Sequence, residues 1–283
     1  MNPAFEWFAA PGKLNLFLHV VGRRPDGYHL LQTVFRFIDY GDEVGVCVRD
    51  DGMIRRAHDV PGVPERADLC VRAAVLLKSE TGCRFGAELA LRKRLPIGGG
   101  LGGGSSDAAT TLLVLNERWE LGLPRSRLQE LGLRLGADVP VFVFGRNAFA
   151  EGVGERLQAL ELESAWYLVL VPQVSVSTAE IFDSPELTCN SNAITIAAFL
   201  GGRGHNDLEP VVCRRYPEVE RHLSWLRRYG RAAITGTGAC VFSAFPTQAQ
   251  AREVLAKLPP DMKGFVARGL DRHPLCREAE DGA

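Results

Sequence analysis

Between Lys13 and Val21 the chain reads K-L-N-L-F-L-H-V-V, alternating apolar and polar positions at the period of a strand with one buried face. The R-R-P-D-G run at 23–27 supplies a turn, and T-V-F-R-F-I at 33–38 and D-E-V-G-V-C-V-R at 42–49 predict two more strands, with D-D-G at 50–52 as a hairpin turn. From Asp68 to Glu80 the period changes: Leu69, Val71, Ala73, Ala74, Leu76 and Leu77 fall at helical spacing, and Phe85 to Leu95 returns to strand. A helix is predicted over Ser105–Leu121, with Ala108, Leu112, Leu115 and Trp119 on one face and Ala109 and Leu113 beside it, so that it is buried nearly all round. Helical spacing resumes from Arg125 to Gly136, and G-A-D-V-P-V-F-V-F is read as leading into a strand. Beyond it, W-Y-L-V-L-V-P from Trp166 opens a second sheet, the polar run Ser184–Ala193 is an exposed connection, and Glu218–Tyr229 and Thr247–Leu258 are amphipathic helices. Strands and helices are thus mixed along the chain, and a boundary near Gly152–Glu155 divides it into units 1–155 and 156–283.

One segment breaks both periods. Pro96 to Ala109 reads P-I-G-G-G-L-G-G-G-S-S-D-A-A, six glycines interrupted only by Leu101. Glycines lack Cβ atoms, so successive N–H groups can turn inward and approach an anion closely. A serine pair follows at the predicted helix start, where unpaired N–H groups and the positive dipole end favour negative charge. Pro96, Ile97, Gly98, Gly99, Gly100, Leu101, Gly102, Gly103, Gly104, Ser105 and Ser106 are therefore read as a phosphate cradle, and a side chain at Gly103 is expected to block the approach. A flexible linker does not suit a segment bounded by a strand and an apolar helix. Gly98, Gly100 and Gly103 satisfy G-x-G-x-x-G, but any run this rich in glycine does so, and no strand–helix alternation precedes it. A P-loop needs lysine where Gly104 stands.

Length and charge narrow the class without naming it. In 283 residues, 33 basic and 34 acidic side chains leave a formal charge of -1, so nothing draws the whole chain toward nucleic acid or an anionic membrane. Cysteines at 47, 70, 83, 189, 213, 240 and 276 form no C-x-x-C pair, a usage that fits a reducing cytoplasm. The first residues lack a basic leader, and no apolar run approaches the ~20 residues of a membrane span. A cytoplasmic protein with neither membrane nor nucleic-acid partner is expected, as a monomer or homodimer.

Three motifs carry a resemblance. P-G-K-L-N-L at 11–16, P-I-G-G-G-L-G-G-G-S-S at 96–106 and T-G-T-G-A-C at 235–240 resemble, in order and spacing, those of the GHMP small-molecule kinase superfamily. The resemblance implies a two-domain α+β fold, the N-terminal domain like ribosomal protein S5 domain 2 and the C-terminal domain ferredoxin-like, with the active site between them. Four more, R-R-P-D-G-Y-H at 23–29, L-G-A-D-V-P-V-F at 135–142, A-E-G-V-G-E at 150–155 and N-D-L-E at 206–209, resemble members acting on a cytidine diphosphate-linked substrate. Those members imply ATP-dependent phosphorylation of the 2-hydroxyl of a methylerythritol moiety, in the non-mevalonate route to isoprenoids. By motif position Asp138 is the base and Lys13 the cation that offsets charge on the transferring group. On the same matching, Tyr28 and His29 face a cytosine with Phe182 closing the other side, and Asn15 and Thr178 contact hydroxyls or phosphates. Magnesium is expected with ATP. Its ligands stay open between Ser105 and Ser106, with Asp107 read as favouring the helix start. A mevalonate- or homoserine-type kinase, or a silent nucleotide-binding protein on the same fold, remain the alternatives.

Overall fold

The structure, a computed structural model, describes residues 4–60 and 62–276. Strands β1 (Glu6–Arg23) and β2 (His29–Arg49) form a long antiparallel hairpin, registered from Glu6 opposite Val46 to Arg23 opposite His29. The R-R-P-D-G turn closes it, Arg24 donating its N–H to the Tyr28 carbonyl at 2.7 Å. The two strands predicted from 33 to 49 are therefore one. After β2 the chain does not fold back as a hairpin at D-D-G. Strand β3 (Ile54–Arg56) instead pairs in parallel with β4 (Gly86–Arg92), and β4 lies antiparallel to β2 between them. Short local turn signals report direction changes, not partners.

Helix α1 (Leu69–Thr81) starts at Asp68, whose side chain accepts the Cys70 N–H, and ends at Gly82 in the left-handed region. It packs on α2 (Gly103–Arg118), which buries Ser106 through Leu112 together with Val114 and Leu115. α2 thus starts two residues before the predicted position and is buried as expected. α3 (Arg125–Leu133) leads to α4 (Val139–Phe144), where a strand was predicted. V-P-V-F-V-F is apolar at every position, and Val139 to Val143 are buried, so periodicity cannot separate helix from strand here. Pro140 in the first turn and Gly145 at the end, its N–H bonded to the Val141 carbonyl, decide it.

β5 (Ala148–Gly152) pairs with β2 and with β6 (Arg156–Ala159). Next come β7 (Trp166–Leu170), α5 (Thr178–Phe182) and α6 (Ile196–Leu200); residues 184–193 hold no helix or strand, though Ser184 and Leu187 are buried. They are followed by α7 (Glu209–Arg215), α8 (Pro217–Leu226), β8 (Ala232–Ile234), β9 (Val241–Phe245), α9 (Gln248–Leu255) and β10 (Gly264–Leu270). α8 and α9 answer to the two predicted amphipathic helices. The predicted second sheet is not separate: β10 pairs with β7 and, at Gly269–Ile38 and Leu270–Phe37, with β2. Among the described residues one ten-stranded sheet results, its main path β3-β4-β2-β10-β7-β9-β8, with β1 and β5 branching from β2 and β6 paired to β5. One apolar core lies under α1, α2 and α4, a second between α7, α8 and the strands β7–β9.

Candidate active site

A cavity of about 560 Å³ opens where β1, the glycine loop, the start of α2, the residue before α4 and the turn 236–238 converge. Gly98, Gly100 and Gly102 take φ of +71°, +77° and +73°, so the loop reverses at every second residue in a conformation L side chains resist. A Cβ on Gly100 would overlap the Thr235 carbonyl oxygen. The T-G-T-G-A-C segment braces the loop: Ala239 and Cys240 donate N–H groups to the Gly98 and Gly99 carbonyls at 3.2 and 3.1 Å, and Thr235 Oγ1 donates to the Gly100 carbonyl at 3.2 Å. Gly102 is the N-cap of α2 and has no side chain to cap with. The first intrahelical bond is Ser106 N–H to the Gly102 carbonyl, which leaves the N–H groups of residues 103–105 for an anion. Ser105 lines the cavity; Ser106, expected there as well, is fully buried and its hydroxyl has no partner.

Lys13, only 2 % exposed, projects from β1 beneath the loop. Its Nζ donates to Asn15 Oδ1 at 2.6 Å and to the Gly100 carbonyl at 3.0 Å, and stands 3.2 Å from Asp138 Oδ2. A buried ammonium demands such oxygens. Asp138 occupies the N-cap position of α4 but makes no capping bond, so its partly exposed carboxylate faces Lys13 and the cavity. Asn15 was expected to touch substrate. It lines the cavity; its Oδ1 accepts from Lys13 Nζ and its Nδ2 donates to Thr33 Oγ1 at 2.9 Å, which also positions the ammonium. Thr178 lines the cavity, its Oγ1 3.1 Å from that of Thr237.

The expected aromatic clamp is not assembled. Phe182 lines the cavity, but His29 rests directly on it, ring centroids 5.2 Å apart at 31°, which leaves no gap for a base between them. Tyr28 is 65 % exposed and lies off the cavity wall. Burial, and then the charge of Arg23, hold His29 below its ordinary pKa, while Asp183 acts the other way. A neutral imidazole presents one donor and one acceptor.

Sequence reasoning missed the far end of the cavity. Lys93 Nζ stands 2.6 Å from Asp107 Oδ2 and also pairs with Asp42, whose Oδ1 accepts the Arg94 and Leu95 N–H groups at 2.6 and 2.8 Å. Asp107 lies beyond the first turn of α2, so it does not serve the helix start as expected. Burial pushes its carboxyl up to about 7 against the opposing pull of Lys93. Around them Leu69, Cys70, Val60, Val63 and Leu91 form an apolar slot. R-K-R at 92–94 falls in the segment read only as strand; the fold brings Lys93 over α2.

The family profile of the GHMP kinases N terminal domain matches residues 68–146, and that of the GHMP kinases C terminal domain matches 186–263. A curated protein of Thiobacillus denitrificans named 4-diphosphocytidyl-2-C-methyl-D-erythritol kinase is 64% identical over 268 residues, covering 95% of this chain and 96% of its own. The chain belongs to the 4-diphosphocytidyl-2-C-methyl-D-erythritol kinase family of the GHMP kinases. A second curated member, from Nitrosospira multiformis, is 61% identical over 274 residues, 96% of this chain and 93% of its own. A crystal structure of 4-(cytidine 5'-diphospho)-2C-methyl-D-erythritol kinase superposes with a TM-score of 0.81 at 32% identity, covering 93% of this chain and 99% of the other. As a GHMP kinase the chain is an ATP-dependent small-molecule kinase with the α+β fold its motifs implied. Among the described residues no helix is long and apolar enough to cross a membrane.

Proposed function

We propose that this chain transfers the γ-phosphoryl group of ATP to the 2-hydroxyl of 4-diphosphocytidyl-2-C-methyl-D-erythritol, giving ADP and the 2-phosphate, in the cytoplasm. One observation carries the reading: Lys13 Nζ joins the Gly100 carbonyl, at the apex of the glycine loop, to the Asp138 carboxylate, at 3.0 and 3.2 Å. The triphosphate lies on Gly98–Gly104 and the free N–H groups of α2, with the adenine in the slot beside Leu69 and Cys70. The loose transition state of phosphoryl transfer spreads charge over the oxygens of the moving group. Asp138 accepts the proton of the attacking hydroxyl, late in the reaction. Lys13 stabilises the developing alkoxide and the γ-phosphoryl oxygens, and Asn15 holds its ammonium in place.

Magnesium fits as a partner of the nucleotide. The Ser105 hydroxyl stands at the mouth of the loop, whereas Ser106 is buried and Asp107 is committed to Lys93, so the ion would keep mainly phosphate and water ligands. Bound there, it neutralises phosphate charge. For the base, the neutral edge of His29 matches the donor–acceptor edge of cytosine, and exposed Tyr28 is free to swing over it as Phe182 forms the wall. The cleft separates units 1–155 and 156–283; β6 still pairs with β5, so the chain crosses after Ala159.

Asp138→Asn keeps the shape and removes proton acceptance. Its kcat should fall by roughly 10²- to 10⁴-fold with ATP affinity little changed. Steady-state kinetics beside ATP calorimetry on the folded variant decide this, and near-parental turnover removes Asp138 from the chemistry.

A further inference from the structure

Away from the cleft wall, His19 on β1, His205 and Asp207 lie together, each offering a ligand atom within 4.8 Å of the others. The backbone fixes them. Leu18 donates its N–H to the His205 carbonyl at 2.9 Å, Asp207 donates to the Leu18 carbonyl at 2.8 Å, and Asp207 Oδ2 accepts the Val20 N–H at 2.6 Å. Their hydrogen bonds also set the tautomers. His205 Nε2 stands 2.7 Å from Asp207 Oδ1, so that nitrogen carries the proton and Nδ1 keeps a lone pair. The His205 backbone N–H approaches His19 Nε2 at 3.4 Å, which makes Nε2 an acceptor too. With those tautomers two lone pairs face each other at 3.3 Å, and a metal would displace the long His205 N–H contact from His19 Nε2. Neutral imidazoles repel in that arrangement, and either a proton on one facing nitrogen or a metal ion between them removes the repulsion.

We propose that His19 Nε2 and His205 Nδ1 chelate a divalent transition metal of the zinc class, with Asp207 orienting His205 from behind. Two nitrogens at Zn–N distances of ~2.0–2.1 Å in a tetrahedron lie about 3.3–3.4 Å apart, which is the separation found. A carboxylate on the far nitrogen of a ligating histidine is the usual supporting partner. Imidazole pairs select zinc, copper or nickel over magnesium, so the site is distinct from that of the nucleotide's metal. His19 is 4 % exposed while the His205 side chain is 68 % exposed, giving a buried anchor and an open approach with room for water ligands. The metal would pin β1 to residues 205–207. Between the two ligands' partners, Asn206 Nδ2 holds the Ile234 and Gly236 carbonyls at 3.2 and 2.9 Å, so the pin reaches the turn beside Lys13.

Untagged, chelator-treated full-length chain titrated calorimetrically with Zn²⁺ in excess Mg²⁺ should bind one equivalent. His205→Ala, a change at an exposed side chain, should weaken it at least tenfold. Co²⁺ in place of Zn²⁺ should give visible ligand-field bands without thiolate charge transfer, which separates the site from the seven cysteines. Absence of binding, as when a shared proton alone fills the gap, overturns the proposal. So does binding that survives His205→Ala, or a spectrum dominated by thiolate bands.

Discussion

At Lys13 one buried ammonium meets three oxygens, two of them on segments far from it in sequence. Burying the charge alone would cost several kcal/mol, so the side chain both needs and fixes the loop and Asp138. Both ends of this pair were legible because they sit in motifs. Asp107 was not, since nothing local says that a residue four places into α2 will meet Lys93. Its raised folded-state pKa sets a sign: the protonated form is favoured in the folded chain, so the contribution to stability is fully present below the ordinary carboxylate range and is lost as pH rises through about 7. Melting temperatures of the parent and Asp107→Asn, compared from pH 4 to pH 8, should show the parent losing ground to the variant as pH rises, then levelling off above about 7. A gap that does not change with pH would contradict this.

At the scale of elements, the glycine loop is held by its own carbonyls while the N–H groups at the start of α2 stay available. Gly103, expected to need freedom from a side chain, is the first helical residue and has no positive φ. A Cβ there would still stand 3.2 Å from Asp42 Oδ2 and 3.3 Å from Leu95 Cβ, but Gly100 bears the stronger constraint. Gly100→Ala combines a left-handed conformation, costing ~1–2 kcal/mol, with overlap onto the Thr235 carbonyl. ATP affinity measured by calorimetry should drop at least about tenfold in the folded variant. Unchanged affinity would place the phosphates elsewhere. Element type was readable wherever the period was clean, as in α1 and α8, and failed at α4, where six apolar residues carry no period. The stacking of His29 on Phe182 was not legible, because it depends on α5 meeting the start of β2, which no local pattern encodes.

For the whole molecule, β10 is the strand that matters. By pairing with both β2 and β7 it makes one sheet of two sequence-distant halves and fixes the cleft walls against each other. The hydrophobic pattern predicted β2, β4 and β7 but neither β10 nor β3, and it carried no strand order, because pairings such as β2 with β10 and β3 with β4 are non-local. In the proposed reading the phosphates and the cytosine lie at different ends of this cleft, and remote binding of the base should help place the reacting hydroxyl. ADP release from ATP, measured with 4-diphosphocytidyl-2-C-methyl-D-erythritol, base-free methylerythritol 4-phosphate, mevalonate and homoserine, tests this most directly. A base contact worth ~1–3 kcal/mol predicts kcat/KM for the cytidyl substrate roughly ten- to a hundred-fold or more above the base-free one, with negligible turnover of the other two. Equal efficiency with the base-free alcohol, or a preference for mevalonate or homoserine, would contradict it.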